Sequence, residues 1–516
     1  STPLYSSAAS DVYKRQAHYH ARSQLVKVLR TSVLGLACAT ALVSSVGVSP
    51  AQAAQPDESA DPHVALLNEY DRYWTPKPFD KQNFDTAFRG DVTPQGSKIL
   101  ARNDEGVEQI NKAGVDEANQ AADRQGRSQQ WRALRDATMF TDPLQEDNDS
   151  LGPVLSKYVA EGLAQCTPAN VHSCSLTHVA RFLWSTGFQE VTNKSTGPAK
   201  KYFNYPRPYL ADRSFADSGN PNNLRGLKKN LAIARVPSRI DVNHKRGGRA
   251  LLTAGYDLMD GASGTNLTVS QAFPSGHTTA AYAYGLAMAE ILPELGPEIL
   301  TGASEAGNNR AVLGVHYPMD IMGGRIEGHS NVSAALTTNR LYVASLKAAR
   351  TEVMAYLTRR CEADGHGDTV QACIGNVGAN DKNGYYNTFT DSVSTTPVVD
   401  RASALKAYRA RMTYGFDKAS AYGGPAPATT APVVPTGAEN LLSTAFPTLS
   451  DAQRRQVLAA TEIDAGYALD SSSGGWQRIN LAAAMSAKVT VGKAGHVVKI
   501  ETGNLKPEVV SAPQAS

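Results

Sequence analysis

Residues 278–292 (TTAAYAYGLAMAEIL) constrain the fold more than any other stretch of this chain. They are Ala-rich and apolar nearly all round, with Glu290 as their one charge. A helix with no polar face has to be enclosed by other elements on most of its sides. Pro293 closes the segment, because proline cannot continue a helix interior. The run is shorter than the ~20 apolar residues that span a bilayer. Its partners must therefore be other parts of the protein.

Those partners also read as helices. Leu155, Tyr158, Val159 and Leu163 recur at helical spacing, as do Leu176, Val179, Leu183 and Trp184. Val332, Leu336, Val343, Leu346, Val353 and Leu357 step along one face of a long amphipathic helix. Strand-like alternation is scarce from about 64 to 422. The expected fold class is all-α, a helical bundle over 64–422 with its functional site at one end. Residues 209–273 read as a loop-rich connection. Residues 423–437 (GGPAPATTAPVVPTG) read as a semi-rigid linker. The C-terminal extension, 438–516, opens with a capping box from Ser450 and Gln453. It continues with a possible hairpin of 488–492 and 496–501.

The N-terminal region is set aside from the fold. Residues 1–16 show no apolar periodicity and read as a non-native scar, and the first Met is Met139. Residues 17–54 read as a signal peptide: Arg22, Lys27 and Arg30, an apolar run over 33–48, then an A-x-A site cut near Ala53 or Ala54. The rival reading is a membrane anchor, but the run is broken by Ser and Gly and is short for a span. Cys38 lies within it, yet Gly35 stands where a lipoprotein box wants Leu. Residues 55–63 form a polar linker. No later stretch is long and charge-free enough to span, so no membrane span is expected in the mature chain. Export predicts a secreted or periplasmic protein. The four remaining cysteines then suggest disulfides, and short loop closure favours Cys166–Cys174 and Cys361–Cys373. The alternative, a zinc site, would need spacings these do not resemble.

Lys+Arg is 51 against Asp+Glu 48, a net charge of +3. No basic excess argues for a nucleic-acid partner. A strong positive field must be built locally by a few residues.

Three segments could build one. Lys200 is followed at fixed distance by Arg207-Pro208; then comes Pro274-Ser275-Gly276-His277; then Arg310, His316 and Asp320. Lys200, Arg207 and Arg310 are fixed cations able to hold a phosphate dianion. Ser275 offers a hydroxyl, and Gly276 lets a backbone N–H approach an oxyanion closely. The helix starting near 278 would aim its positive end at the same spot. Pro318 favours a helix start between His316 and Asp320. Asp320 would then accept Nδ1–H of His316, leaving Nε2 as a nucleophile. His277 would protonate the leaving oxygen and later activate water. Singly, each signal has a bland reading: a turn, a solvated Arg, a local His–Asp pair. Ten positions in one order at fixed spacing do not.

Together these segments resemble the signature of the class A nonspecific acid phosphatases, within the type-2 phosphatidic-acid-phosphatase and vanadium-haloperoxidase superfamily. The resemblance covers roughly 150–345 and extends toward Trp476, where GWQRINLAAA resembles the tails of exported members. It implies an all-helical bundle, no metal, and hydrolysis of small phosphate monoesters through a phosphohistidine on His316. Catalytic roles fall to His316, His277 and Asp320, and phosphate binding to Lys200, Arg207, Ser275, Gly276 and Arg310. No cofactor is implied, and vanadate is expected as an inhibitor. The alternative is a vanadium-dependent haloperoxidase on the same scaffold, with vanadate as cofactor. A bilayer-embedded lipid phosphatase would need several spanning helices. A non-catalytic phosphate binder would need a broken His316, His277 or Asp320. Two departures stand out. Asn309 replaces the family's Ser, with tuning rather than loss expected, and the 209–273 connection is long. His178 reads as a packed core histidine, and His244, Lys245, Arg246 and Arg249 as a solvated loop or an anion-attracting rim.

Overall fold

The computed structural model describes residues 61–77, 90–115, 129–137, 150–167, 169–186, 191, 196–208, 245–246, 249–250, 271–375, 384–387, 392–393, 397–503 and 506–512. The expected scar and signal peptide, and most of the 209–273 connection with His244, lie outside these residues.

The chain is mostly helical. The elements that matter for the site are α1 (Gly96–Val115), α2 (Gln129–Asp136), α3 (Gly197–Phe203), α4 (Gly276–Ile291), α5 (Gly296–Val312), α6 (Pro318–Thr338), α7 (Arg340–Ala363), α8 (Arg401–Arg411) and α9 (Asp451–Thr461). The apolar segment forms α4, and every residue from Thr278 to Ile291 is buried. It is flanked along its length by α5 and α6, with α7 against a further side. Among the described residues no helix is long and apolar enough to cross a membrane.

Glycines set how closely α4 and α6 approach. A Cβ on Gly324 would stand 2.6 Å from the Ser275 carbonyl oxygen, and one on Gly328 would stand 2.9 Å from that of Thr279. Real side chains cannot occupy either position without shifting backbone. These two residues, one turn apart on α6, let the N-terminal ends of the two helices meet.

The periodicity over 332–357 does not run through one helix. The backbone turns extended at Asn339 (φ −107°, ψ 98°), which ends α6 and caps α7 by accepting the Tyr342 N–H at 3.0 Å. The apolar spacing survives across the break because both helices face the same core. His178 is corrected as well: it is exposed, and its backbone N–H, not its ring, is engaged, donating to Glu352 at 2.8 Å.

Both expected disulfides are present, Cys166–Cys174 and Cys361–Cys373. Ser450 and Gln453 form their capping box at the start of α9. The hairpin forms from β1 (Lys488–Val491) and β2 (Val497–Glu501), and a third strand, β3 (Glu508–Ser511), adds parallel to β1 on its other side.

The Pro-rich stretch lies along the body. Arg478 donates to the carbonyls of Thr429 and Ala431, Arg455 to those of Val434 and Pro435, and Val433 N–H to Glu462. Leu441, Leu442, Phe446, Val457 and Leu458 join the same apolar core as α4 and α6. The chain is also stitched end to end. Buried Glu69 accepts from Leu469 N–H at 2.8 Å and Ser471 N–H at 2.7 Å. Arg325 of α6 donates to the Gln477 carbonyl at 3.0 Å.

Candidate active site

The third sequence segment builds its own geometry. Pro318 sits at the first position of α6, and Asp320 reaches back to accept the Tyr317 N–H at 2.9 Å. The same oxygen, Oδ2, lies 3.0 Å from Nδ1 of His316. On the other side of the ring, Nε2 lies 2.7 Å from Nη1 of Arg207, which also donates to the Val315 carbonyl at 2.9 Å. A guanidinium only donates and a carboxylate only accepts. These partners therefore place the proton on Nδ1 and the lone pair on Nε2.

The second segment meets the third at a backbone bond, Ser275 N–H to the Asp320 carbonyl, at 3.0 Å. Ser275 is the N-cap of α4: its Oγ accepts from Thr278 N–H at 3.3 Å and from the Thr278 hydroxyl at 2.9 Å. Its hydroxyl oxygen thus serves the helix start, a role the sequence reading did not assign. Gly276 opens α4 tightly, since a Cβ there would stand 3.0 Å from Oγ1 of Thr196 and 4.0 Å from Cε of Lys200. His277, half-buried on the first turn, lies with Nε2 3.2 Å from the Ala137 carbonyl oxygen.

The first segment ties to the second through Lys200, on α3. Its Nζ donates to the carbonyls of Gln271 at 2.7 Å and Ala272 at 3.0 Å. Helix α3 ends at Asn204 in the left-handed region (φ 45°), turning the chain toward Arg207. Arg310, in the last turn of α5, is 1% exposed, and its Nε and Nη1 have no hydrogen-bond partner among the described residues. Unpaired buried donors are costly, and these two suit an anion.

Burial, then Arg207, brings Arg310 down to about 9, against the pull of Asp136. Burial and Arg207 push Lys200 well down, opposed by Asp320 and Glu327. Burial, followed by Arg207, Lys200, Arg310 and His277, pushes His316 well below the ordinary imidazole value. Burial and Arg310 do the same to His277. Burial, and after it the cations the two rings share, disfavours protonation of both. Burial raises the Asp320 carboxyl to about 7, even though Tyr317 N–H, Lys200 and Arg207 pull it down. Lys200, Arg207 and Arg310 crowd one another, and although Asp320, Glu327 and Asp136 offset them in part, an anion placed among them would relieve their mutual repulsion. A tetrahedral oxyanion such as phosphate or vanadate suits this donor set.

All eight residues singled out in the sequence lie in or against this cluster. The sequence reading missed α2. Its Asp136 accepts from Nδ2 of Asn309 at 2.6 Å, and from Arg135 through Nε at 2.9 Å and Nη2 at 2.7 Å. Asn309 does donate a hydrogen bond, as expected of its amide, but to this carboxylate. Glu327, fully buried near Lys200, was also missed. Nothing in local spacing marks either residue, since both act from separate elements.

Comparison with known proteins points the same way. Residues 178–339 match the family model described as the PAP2 superfamily. A non-specific acid phosphatase of Providencia stuartii is 34% identical over 86 residues, which is 17% of this chain and 34% of that protein. An acid phosphatase of Zymomonas mobilis is 32% identical over 81 residues, 16% of this chain and 30% of that protein. The chain thus spans about a third of the length of these curated relatives. Its resemblance to nonspecific acid phosphatases of this superfamily holds beyond the short motifs.

Proposed function

We propose that the chain is a phosphatase that hydrolyses phosphate monoesters through a phosphohistidine on His316. The observation that carries this reading is the geometry at His316, with Nδ1 3.0 Å from Asp320 and Nε2 2.7 Å from Nη1 of Arg207, beside Lys200 and Arg310. Lys200, Arg207 and Arg310 bind the phosphoryl oxygens and neutralise the charge that spreads over them. Nε2 forms the N–P bond as the P–O bond to the leaving group breaks. The electron pair goes to the leaving oxygen, which takes a proton from His277, the ring having been protonated from solvent once the bound dianion offsets the cations around it. Asp320 stabilises the cationic ring so formed. Water then attacks phosphorus, gives its proton to His277, and the N–P pair returns to Nε2. Each step uses side chains of this chain alone, so we infer activity without a metal. The names of the relatives support the reaction class. The two disulfides support an oxidising compartment, outside the cytoplasm, as the place of action.

The test is phosphate release from p-nitrophenyl phosphate in chelator, with rapid acid- and base-quenched labelling of the enzyme. A base-stable, acid-labile phosphoenzyme lost in His316→Ala is the expected result. Full activity in that variant, or a strict need for metal, overturns the reading. Vanadate should inhibit; halide oxidation with vanadate and peroxide would instead assign the haloperoxidase alternative.

A further inference from the structure

The α2 segment lies outside the residues that match the family model, yet it touches both halves of the site. Helices α2 and α5 face each other through two rungs. Arg132 and Asp136 are one turn apart on α2, and Glu305 and Asn309 are one turn apart on α5. Nε of Arg132 donates to Oε1 of Glu305 at 2.5 Å, and Nδ2 of Asn309 donates to Oδ2 of Asp136 at 2.6 Å. All four side chains are buried. Asn309 immediately precedes Arg310, so the second rung holds α2 beside the phosphate-holding cation. Arg135 closes on the other oxygen of Asp136 and lies over the Trp131 ring, 5.6 Å from its centroid. The next residue, Ala137, is fixed as a consequence. Its carbonyl oxygen is the partner of Nε2 of His277, at 3.2 Å.

A carbonyl oxygen can only accept, so Nε2 carries a hydrogen in this contact. From this geometry we infer that the Arg135-Asp136-Ala137 segment is a positioning element that pins Nε2–H of His277, making Nδ1 the atom that gives and takes the proton. The inference rests on the proposed phosphatase reading and adds the atom and its support. Binding of the phosphate dianion offsets the surrounding cations and lets the ring take a second proton from solvent at Nδ1; in the first step this proton passes to the leaving oxygen as the P–O bond breaks. In the second, Nδ1 takes a proton from the attacking water. Nε2–H stays on the carbonyl throughout. Asp136 and Ala137 touch no reacting atom; they act through His277 and Asn309.

Two measurements test this on the full chain. The first is nitrogen-15 NMR of histidine-labelled protein, assigned with His277→Gln. A resting His277 protonated at Nε2 is expected, with mixed tautomers in Asp136→Ala. An Nδ1–H tautomer in the wild type overturns the inference whether or not the enzyme turns over. The second compares p-nitrophenyl phosphate with an alkyl phosphate such as glycerol phosphate. A good leaving group needs little protonation and a poor one needs much, and a general acid contributes about 10²–10⁴-fold. Asp136→Ala should therefore lose at least about 10-fold more kcat/KM on the alkyl ester. His277→Ala should show the same split, and the double variant little further loss. Equal loss on both esters, or multiplicative loss in the double variant, rejects the positioning role. If Asp136→Ala does not fold, Asn309→Ala removes the donor of the same rung under the same readouts. A wild type inactive on both esters would sink the phosphatase reading, while the tautomer experiment still judges this one.

Discussion

Arg310 shows what one residue contributes when it is buried with two of its donors, Nε and Nη1, unpaired among the described residues. Its planar fork can meet two phosphate oxygens at once, and a lysine in its place would supply charge without that geometry. Arg310→Lys should lower kcat/KM by about 10²-fold, within the range for loss of one preorganised donor, and weaken inhibition by inorganic phosphate. Steady-state kinetics with phosphate as inhibitor checks both. His329 makes a different point. It lies buried on α6, its ring edge-on to Tyr282 and 3.4 Å from the Tyr408 hydroxyl. Burial, then Arg325, holds it well below the ordinary imidazole value. Its folded value is depressed, so the unfolded chain binds the proton first as pH falls below about 6.5. Stability from a neutral His329 is present above that pH and is lost on acidification. His329→Leu should thus gain on the wild type as pH drops from 6.5 to 5.5, by up to about 1.4 kcal/mol, the slope of one such group. Urea unfolding at the two pH values measures it; a pH-independent difference would refute it. Glu290 works with the opposite sign. Burial raises it to about 8, so its contribution fades as pH rises toward that value.

At the scale of elements, the meeting of α4 and α6 decides whether the site exists. The Ser275 N–H to Asp320 carbonyl bond joins the two helix starts, and Gly324 makes room for it. Gly324→Val should cost about 1–3 kcal/mol by overpacking. It should also depress kcat disproportionately, by separating His277 from His316. Thermal unfolding and turnover on one preparation distinguish this from simple loss of folded protein. This scale also shows where sequence reading succeeds. His316, Pro318 and Asp320 were legible because a helix start places them by local geometry alone. The all-round apolarity of α4 announced its burial for the same reason. Asn339 was not legible as a break, because apolar periodicity continues across it and only a side-chain cap marks the turn. Asp136 and Ala137 stayed hidden because α2 reaches the site through packing against α5, which no spacing in the chain encodes.

At the scale of the whole molecule, the C-terminal region is bound into the body by apolar packing and by buried polar ties. The Pro-rich stretch suggested a spacer from its composition, yet its carbonyls are taken up by Arg455 and Arg478. Those partners lie later in the chain, so composition alone could not reveal them. Truncation before Ala438 would expose the core surface that Leu441, Leu442, Phe446 and Leu458 cover. The expected result is an insoluble or molten product, read by near-ultraviolet circular dichroism and solubility. A truncated chain with native tertiary signal and activity would contradict this shared core.

The contact between Arg207 and Nε2 of His316 has a consequence for selectivity. At rest, the Nε2 lone pair that attacks in the proposed reaction is hydrogen-bonded to a cation. A neutral electrophile offers that cation nothing and meets a nitrogen already engaged. An ester carrying two negative charges draws the guanidinium onto its own oxygens and so bares the atom that will attack it. Arg207→Ala should accordingly hasten carbethoxylation of His316 by an uncharged reagent, followed by peptide mass mapping; an unchanged rate would discount this shielding. Under the proposed reaction, the charge of the right visitor would itself be the key, with no door required to turn away uncharged reagents.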